Sequence, residues 1–119
     1  MSVEVLINRL NNTPDEVSFN ETMAIIENHF DYTPARFTNG VAEGRAVNEA
    51  GTNEGSCKIF ALGRLLQLNE EQTLHCFGDY YRIDVLRHPD GNDHANIRNF
   101  MRDGWSGIAF DSEALKAKE

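Results

Sequence analysis

The architecture turns on one run, Ser56-Cys57-Lys58-Ile59-Phe60-Ala61-Leu62-Gly63-Arg64-Leu65-Leu66-Gln67-Leu68. Its apolar residues leave few polar positions, so it reads as a helix buried on most of its faces. Gly63 costs about 1 kcal/mol against alanine inside a helix unless a closely packed neighbour offsets the loss. On the C-terminal side, Asn69-Glu70-Glu71-Gln72 is a capping signal for a fourth helix. That helix carries Leu74, Phe77, Gly78, Tyr81, Val85 and His88 on one stripe until Pro89 ends it. Gly78 within the stripe points to a second backbone lying close. A fifth helix follows the polar turn His88-Pro89-Asp90-Gly91-Asn92-Asp93, with Asn92 or Asp93 as its cap. Ile97, Phe100, Met101 and Trp105 form its apolar face, and Gly104 closes it.

On the N-terminal side, Val3, Leu6, Ile7 and Leu10 fall at helical spacing behind Ser2, and Asn11-Asn12-Thr13-Pro14 breaks the pattern. Ser18-Phe19-Asn20-Glu21 is a capping box for a second helix, with Phe19, Thr22, Met23, Ile26 and Phe30 on one face as far as Thr33-Pro34. Between Tyr32 and Glu54 the periodicity is lost. This stretch reads as a long glycine-rich loop with room for a short hairpin at Asn39-Gly40. The expected fold is therefore all-α, a bundle of about five helices forming one domain over residues 1–111, with a polar, frayed tail at 112–119.

Composition narrows the function classes. The 119 residues carry 19 acidic and 11 basic side chains, a net charge of -8, which disfavours phosphate backbones and anionic lipid surfaces. Neither a nucleic acid nor a membrane is an expected partner. The nearest thing to a basic cluster is Arg98 and Arg102, one helical turn apart. Two cysteines, Cys57 and Cys76, are too few for a disulfide framework, so a reduced cytoplasmic location is the default. No apolar run nears the roughly 18 residues of a membrane span, and the N-terminus lacks the marks of a secretory signal.

Four constellations could carry chemistry. Cys57, at a helix start beside Ser56 and Lys58, could be held as a nucleophilic thiolate, with His94 as a partner base; free cysteines on apolar helices are more often small buried hydrophobes. The segment Gly51-Thr52-Asn53-Glu54-Gly55-Ser56-Cys57-Lys58 resembles a phosphate-binding loop but has the wrong spacing and order and no strand before it. Gly55, Ser56 and Lys58 remain candidates for holding a small ligand at the helix start, and Asp79 and Tyr80 could line a cleft. His88, Asp90, Asp93 and His94 offer four donors within seven residues, yet match no zinc spacing. A calcium loop starting at Asp90 fails because Ala95 and Met101 occupy its sixth and twelfth positions. A helix–helix turn accounts for these four residues more simply, so no metal and no cofactor is expected.

Three uncommon strings occur in order: Gly55-Ser56-Cys57-Lys58-Ile59-Phe60, Cys76-Phe77-Gly78-Asp79-Tyr80-Tyr81-Arg82, and His88-Pro89-Asp90-Gly91-Asn92-Asp93-His94 continuing to Asn96-Ile97-Arg98-Asn99-Phe100-Met101. With Gly104-Trp105-Ser106-Gly107 they resemble the HopJ type III effector family from about Ser18 to Ile108. The resemblance implies a small bacterial protein named after those that plant pathogens inject into host cells, and it transfers no catalytic residue. Injected effectors usually begin with a flexible, Ser-rich, acid-poor segment, whereas this chain opens with a helical pattern containing Glu4. The functional expectation is an interaction domain that binds a protein partner. Its rival is a small enzyme or metal-binding protein using Cys57 with His88, Asp93 and His94, and the balance leans against an enzyme.

Overall fold

In the computed structural model, which describes residues 2–118, α3 (Glu54–Leu66) runs through the core and buries Cys57, Ile59, Phe60, Ala61, Leu62 and Gly63. The Phe60 ring lies 4.9 Å from Phe100, 5.6 Å from Phe77, 5.9 Å from Phe37 and 6.4 Å from Trp105, so rings from four other parts of the chain converge on it. A Cβ on Gly63 would stand 2.8 Å from both Thr73 Oγ1 and the Trp105 ring. That close approach explains a glycine in a central helix.

α1 (Val3–Asn12) is capped by the Ser2 hydroxyl, which accepts from the Val5 amide, and buries Leu6 and Leu10. After a 3-10 turn at Pro14–Glu16, α2 (Phe19–His29) starts with the Ser18 hydroxyl accepting from the Glu21 amide. The Glu21 carboxylate accepts from Arg9 on α1. α4 (Glu70–His75) opens with a reciprocal capping box between Asn69 and Gln72, and α5 (Ala95–Asp103) packs on α4.

The all-α expectation is overturned by two small antiparallel sheets, which make the fold α+β. In one, β1 (Phe30–Tyr32) pairs with β5 (Leu115–Ala117). In the other, β2 (Phe37–Asn39) lies between β3 (Ala46–Asn48) and β4 (Ile108–Phe110). Each strand has three residues, too few to establish a period-2 alternation against a helical one.

Three further expectations change with the sheets. α2 stops at His29 because Phe30 turns extended, four residues short of Pro34. The supposed frayed tail supplies β5: Ala114 and Leu115 are buried, Ala114 O accepts from Thr33, and Lys118 N–H donates to His29 O. Glu119 lies outside the described residues. The long loop is largely a hairpin, and residues 40–45 connect β2 to β3 in place of a tight Asn39-Gly40 turn.

The fourth helix is also shorter than its stripe. Gly78, at φ +63°, breaks it, and the chain resumes as a π-helical segment, Tyr80–Val85. A Cβ on Gly78 would stand 2.6 Å from the Phe19 amide nitrogen, so the close backbone is the start of α2. His94, in a left-handed conformation and with its side chain making no capping hydrogen bond to the helix, occupies the cap of α5 in place of Asn92 or Asp93.

Candidate functional site

Asparagines hold the mixed part of the fold together. Asn39, on β2, donates to the backbone oxygen of Asn96 at 2.8 Å and to its Oδ1 at 3.0 Å. Asn96 donates to Asn48 Oδ1 at 2.9 Å, and Asn48 returns a bond to Asn96 Oδ1 at 3.2 Å. Asn53, the cap of α3, donates to the same Asn48 oxygen at 2.8 Å. Asn99 reaches the carbonyls of Asn39 and Gly44. Buried amides are costly unless paired, and here almost every one is; Asn39 Oδ1 is buried without a donor. The network ties the hairpin to the first turns of both α3 and α5.

Those two helix starts open onto one cleft of about 340 Å³, lined by Asn53, Gly55 and Ser56 from α3 and its cap, and by His94, Ala95, Asn96 and Ile97 from α5 and its cap. Phe19, Phe77 and Tyr80 complete it. Gly55 admits the Phe19 ring, whose Cζ would stand 2.9 Å from a Cβ at that position. Phe19 meets Tyr80 edge-on at 5.1 Å, and Tyr80 lies 5.3 Å from the His94 ring, so three rings follow one another along one wall. His94 Nε2 lies 3.0 Å from Asp84 Oδ2. A carboxylate only accepts, so that nitrogen carries the proton. Asp79 and Tyr80 also line a shallower depression with Ser18, Phe19 and Asn20.

The cleft therefore gathers Gly55, Ser56, Tyr80 and His94, four of the residues singled out in the sequence. It does not gather Cys57, whose side chain is buried and directed at Ala35 O, 3.7 Å away. Burial pushes the Cys57 thiol pKa up, against what a helix start and Lys58 would favour. Burial likewise pushes Cys76 up to about 12. The Lys58 ammonium sits over the Tyr32 ring, 4.7 Å from its centroid.

Of the four proposed metal donors, Asp93 and the His88 backbone serve the turn before α5, while His94 faces the cleft and Asp84. Arg98 donates to Asp93 Oδ1 at 2.6 Å and to the His88 carbonyl at 2.9 Å, its hydrogen bond holding the Asp93 carboxyl below the usual range. Asp90 is exposed. Among the described residues no three His, Cys, Asp or Glu side chains converge as a metal site would need.

Phe19, Asn53, Phe77, Asp84 and Asn96 were not marked as site residues in the sequence. A usable signal existed for Asn96: with Asn99 it flanks Ile97 and Phe100 on a buried helix face, where amides need dedicated partners. Nothing local marks Asp84 as the partner of His94.

A second feature lies elsewhere. Val85, Leu86, Pro89, Arg98, Met101 and Arg102 line a groove of about 320 Å³ in which Leu86 and Met101 are 46% and 44% exposed. Arg98 and Arg102 flank it.

The family model for the HopJ type III effector protein matches residues 3–115. A crystal structure of a protein described as of unknown function, VPA0580, superposes with a TM-score of 0.94 at 52% identity, covering 99% of this chain and 95% of the other. No match was found among curated proteins. Among the described residues no helix is long and apolar enough to cross a membrane.

Proposed function

The chain belongs to the HopJ type III effector protein family, and from that premise we propose that it works by binding a partner protein, as an effector-like interaction domain. The observation that carries this reading is the groove between the π-helical segment and α5. Leu86 and Met101 stand half-exposed in it. Paired exposed aliphatic side chains in one depression are a common mark of a contact surface. Arg98 and Arg102 flank the groove on a chain of net charge -8. Both guanidiniums are already paired, Arg98 with Asp93 and Arg102 with Asp103, so the fitting partner is a segment that presents apolar side chains. Two buried, unpaired cysteines suit a reducing cytoplasm, in the bacterium or in a host cell.

An enzyme built on Cys57 finds less support. Its thiol is enclosed and does not line the cleft that holds His94. His88, Asp90 and Asp93 support a turn.

Photo-cross-linking from position 101 in living cells tests the proposal. The expected result is one discrete cross-linked partner, whose yield falls at least about tenfold in Leu86→Asp, since burying one aliphatic side chain contributes about 1.5–3 kcal/mol. Circular dichroism and thermal midpoint should be unchanged, because Leu86 is on the surface. Undiminished cross-linking in Leu86→Asp, or a diffuse ladder of abundant proteins, would overturn the reading.

A further inference from the structure

The sulfur atoms of the chain belong to Met1, Met23, Cys57, Cys76 and Met101. Met1 lies outside the described residues. Cys57 and Cys76 are 1% and 0% exposed, and burial raises both thiol pKa values, so neither presents a thiolate. Met23, on α2, is partly buried and packs against the hydrophobic core. Met101 differs from these three: it is 44% exposed on α5 and lines the groove with Leu86. We propose that Met101 is a reversible oxidation site, and that its conversion to the sulfoxide by a peroxide closes the groove to its partner. The switching half rests on the proposed partner contact; the site of oxidation does not.

A thioether needs no deprotonation before it reacts, so its access to the oxidant governs its rate. A sulfur lone pair attacks one peroxide oxygen, and the O–O bond breaks as the S–O bond forms. The departing hydroxide takes the proton left on the transferred oxygen. Sulfur loses two electrons, and the peroxide is reduced to water. A dithiol reductase reverses the step: two thiols become a disulfide, and the sulfoxide oxygen leaves as water.

Helical spacing puts Met101 on the apolar side of α5 with Ile97 and Phe100, yet those two, 2% and 0% exposed, carry the packing. Oxidation at the surface leaves that core untouched. In the groove the outcome differs. The sulfoxide places a polar acceptor beside Leu86, where a partner's apolar side chains would make contact. The flanking guanidiniums already donate to Asp93 and Asp103, so an enclosed sulfoxide oxygen would compete with carboxylates for a donor. Enclosing a polar group without its hydrogen bond opposes association.

The first arm of the test is limited hydrogen peroxide treatment of the full chain, followed by peptide mass spectrometry. Met101 should gain oxygen at least about tenfold faster than Met23, with both cysteines unmodified and the thermal midpoint unchanged. Equal rates at the two methionines, or earlier modification of either cysteine, would overturn the site. The second arm is competition in cell extract against the chain carrying the photo-cross-linker at position 101. Untreated wild type should suppress the cross-link. The oxidised chain, freed of peroxide, should compete at least about tenfold less well and recover after treatment with methionine sulfoxide reductases A and B. Met101→Leu has no sulfur to oxidise at that position, so its competition, whatever its starting strength, should not respond to peroxide. Undiminished competition by the oxidised wild type, no recovery with the reductases, or a peroxide response in Met101→Leu would overturn the switch while the partner contact stands. Absence of any cross-link to suppress would remove the partner contact and the switch together, and the oxidation site would still be decided by the first arm.

Discussion

Two histidines hold a charged partner at nearly the same distance and have opposite roles. His75 Nδ1 lies 3.1 Å from the Arg82 guanidinium, and His94 Nε2 lies 3.0 Å from the Asp84 carboxylate. A guanidinium only donates, so His75 must accept through Nδ1 and stay neutral, whereas His94 donates. His75 is 7% exposed; the His94 side chain is 28% exposed and borders an open cleft. Bond length does not distinguish structural glue from an available ring. The sign of the partner's charge and the solvent around the pair do, because desolvation sets what an unmade bond costs.

Arg82 provides the sharpest way to break that comparison. Its guanidinium donates to the carbonyls of Pro14, Val17 and His75 as well as to the His75 ring, pinning the α1–α2 connection to the π-helical segment. Arg82→Ala would leave several of these acceptors in a mostly buried place without a donor. The expected cost is about 3 kcal/mol in urea denaturation. A loss below about 1 kcal/mol would mean that water replaces the guanidinium and that His75 is no more structural than His94.

The helical half of this comparison was legible in the sequence, and the rest was not. Apolar periodicity marked α1, α2 and α3, and the glycines at 63 and 78 announced the close approaches of Trp105 and of the Phe19 backbone. The strands escaped because three-residue elements carry no period, and β5 in particular shows one buried Leu beside Lys116. Within the cleft, Gly55 with Ser56, Tyr80 and His94 stood out, but from three separate segments. The two helix starts among them are joined through the asparagine network, whose members lie up to 60 residues apart. Cys57 is buried, as free cysteines on apolar helices usually are, and a helix start and a lysine favour thiolate only in an open setting. Burial outweighs both.

A smaller effect should appear in the pH dependence of stability. Burial, and then Arg82, lower the His75 pKa, while Asp15 and Glu71 act the other way. A folded pKa below the unfolded one, about 6.5, means that the neutral ring stabilises the fold fully above that pH. The contribution is lost as pH falls from there toward the folded value. Urea midpoints for the wild type should therefore drop more steeply between pH 7 and pH 5 than those of His75→Gln, which keeps an acceptor but cannot titrate. Parallel profiles would remove His75 as the source.

The smallest effect belongs to the other histidine. Asp84 and His94 have side chains 44% and 28% exposed, a setting in which water competes for both groups and an ion pair contributes little. Asp84→Asn retains an acceptor for the Nε2 proton and should cost less than about 0.5 kcal/mol, within the range of exposed pairs. The His94 ring should keep its place against Tyr80, seen as unchanged ring-current shifts of the two side chains. A cost above about 1.5 kcal/mol would place His94 with His75 among the buried fastenings. It would also mean that the cleft's third ring is held by charge, not by packing, because the 5.3 Å ring contact and the left-handed backbone at His94 would not be sufficient to hold it.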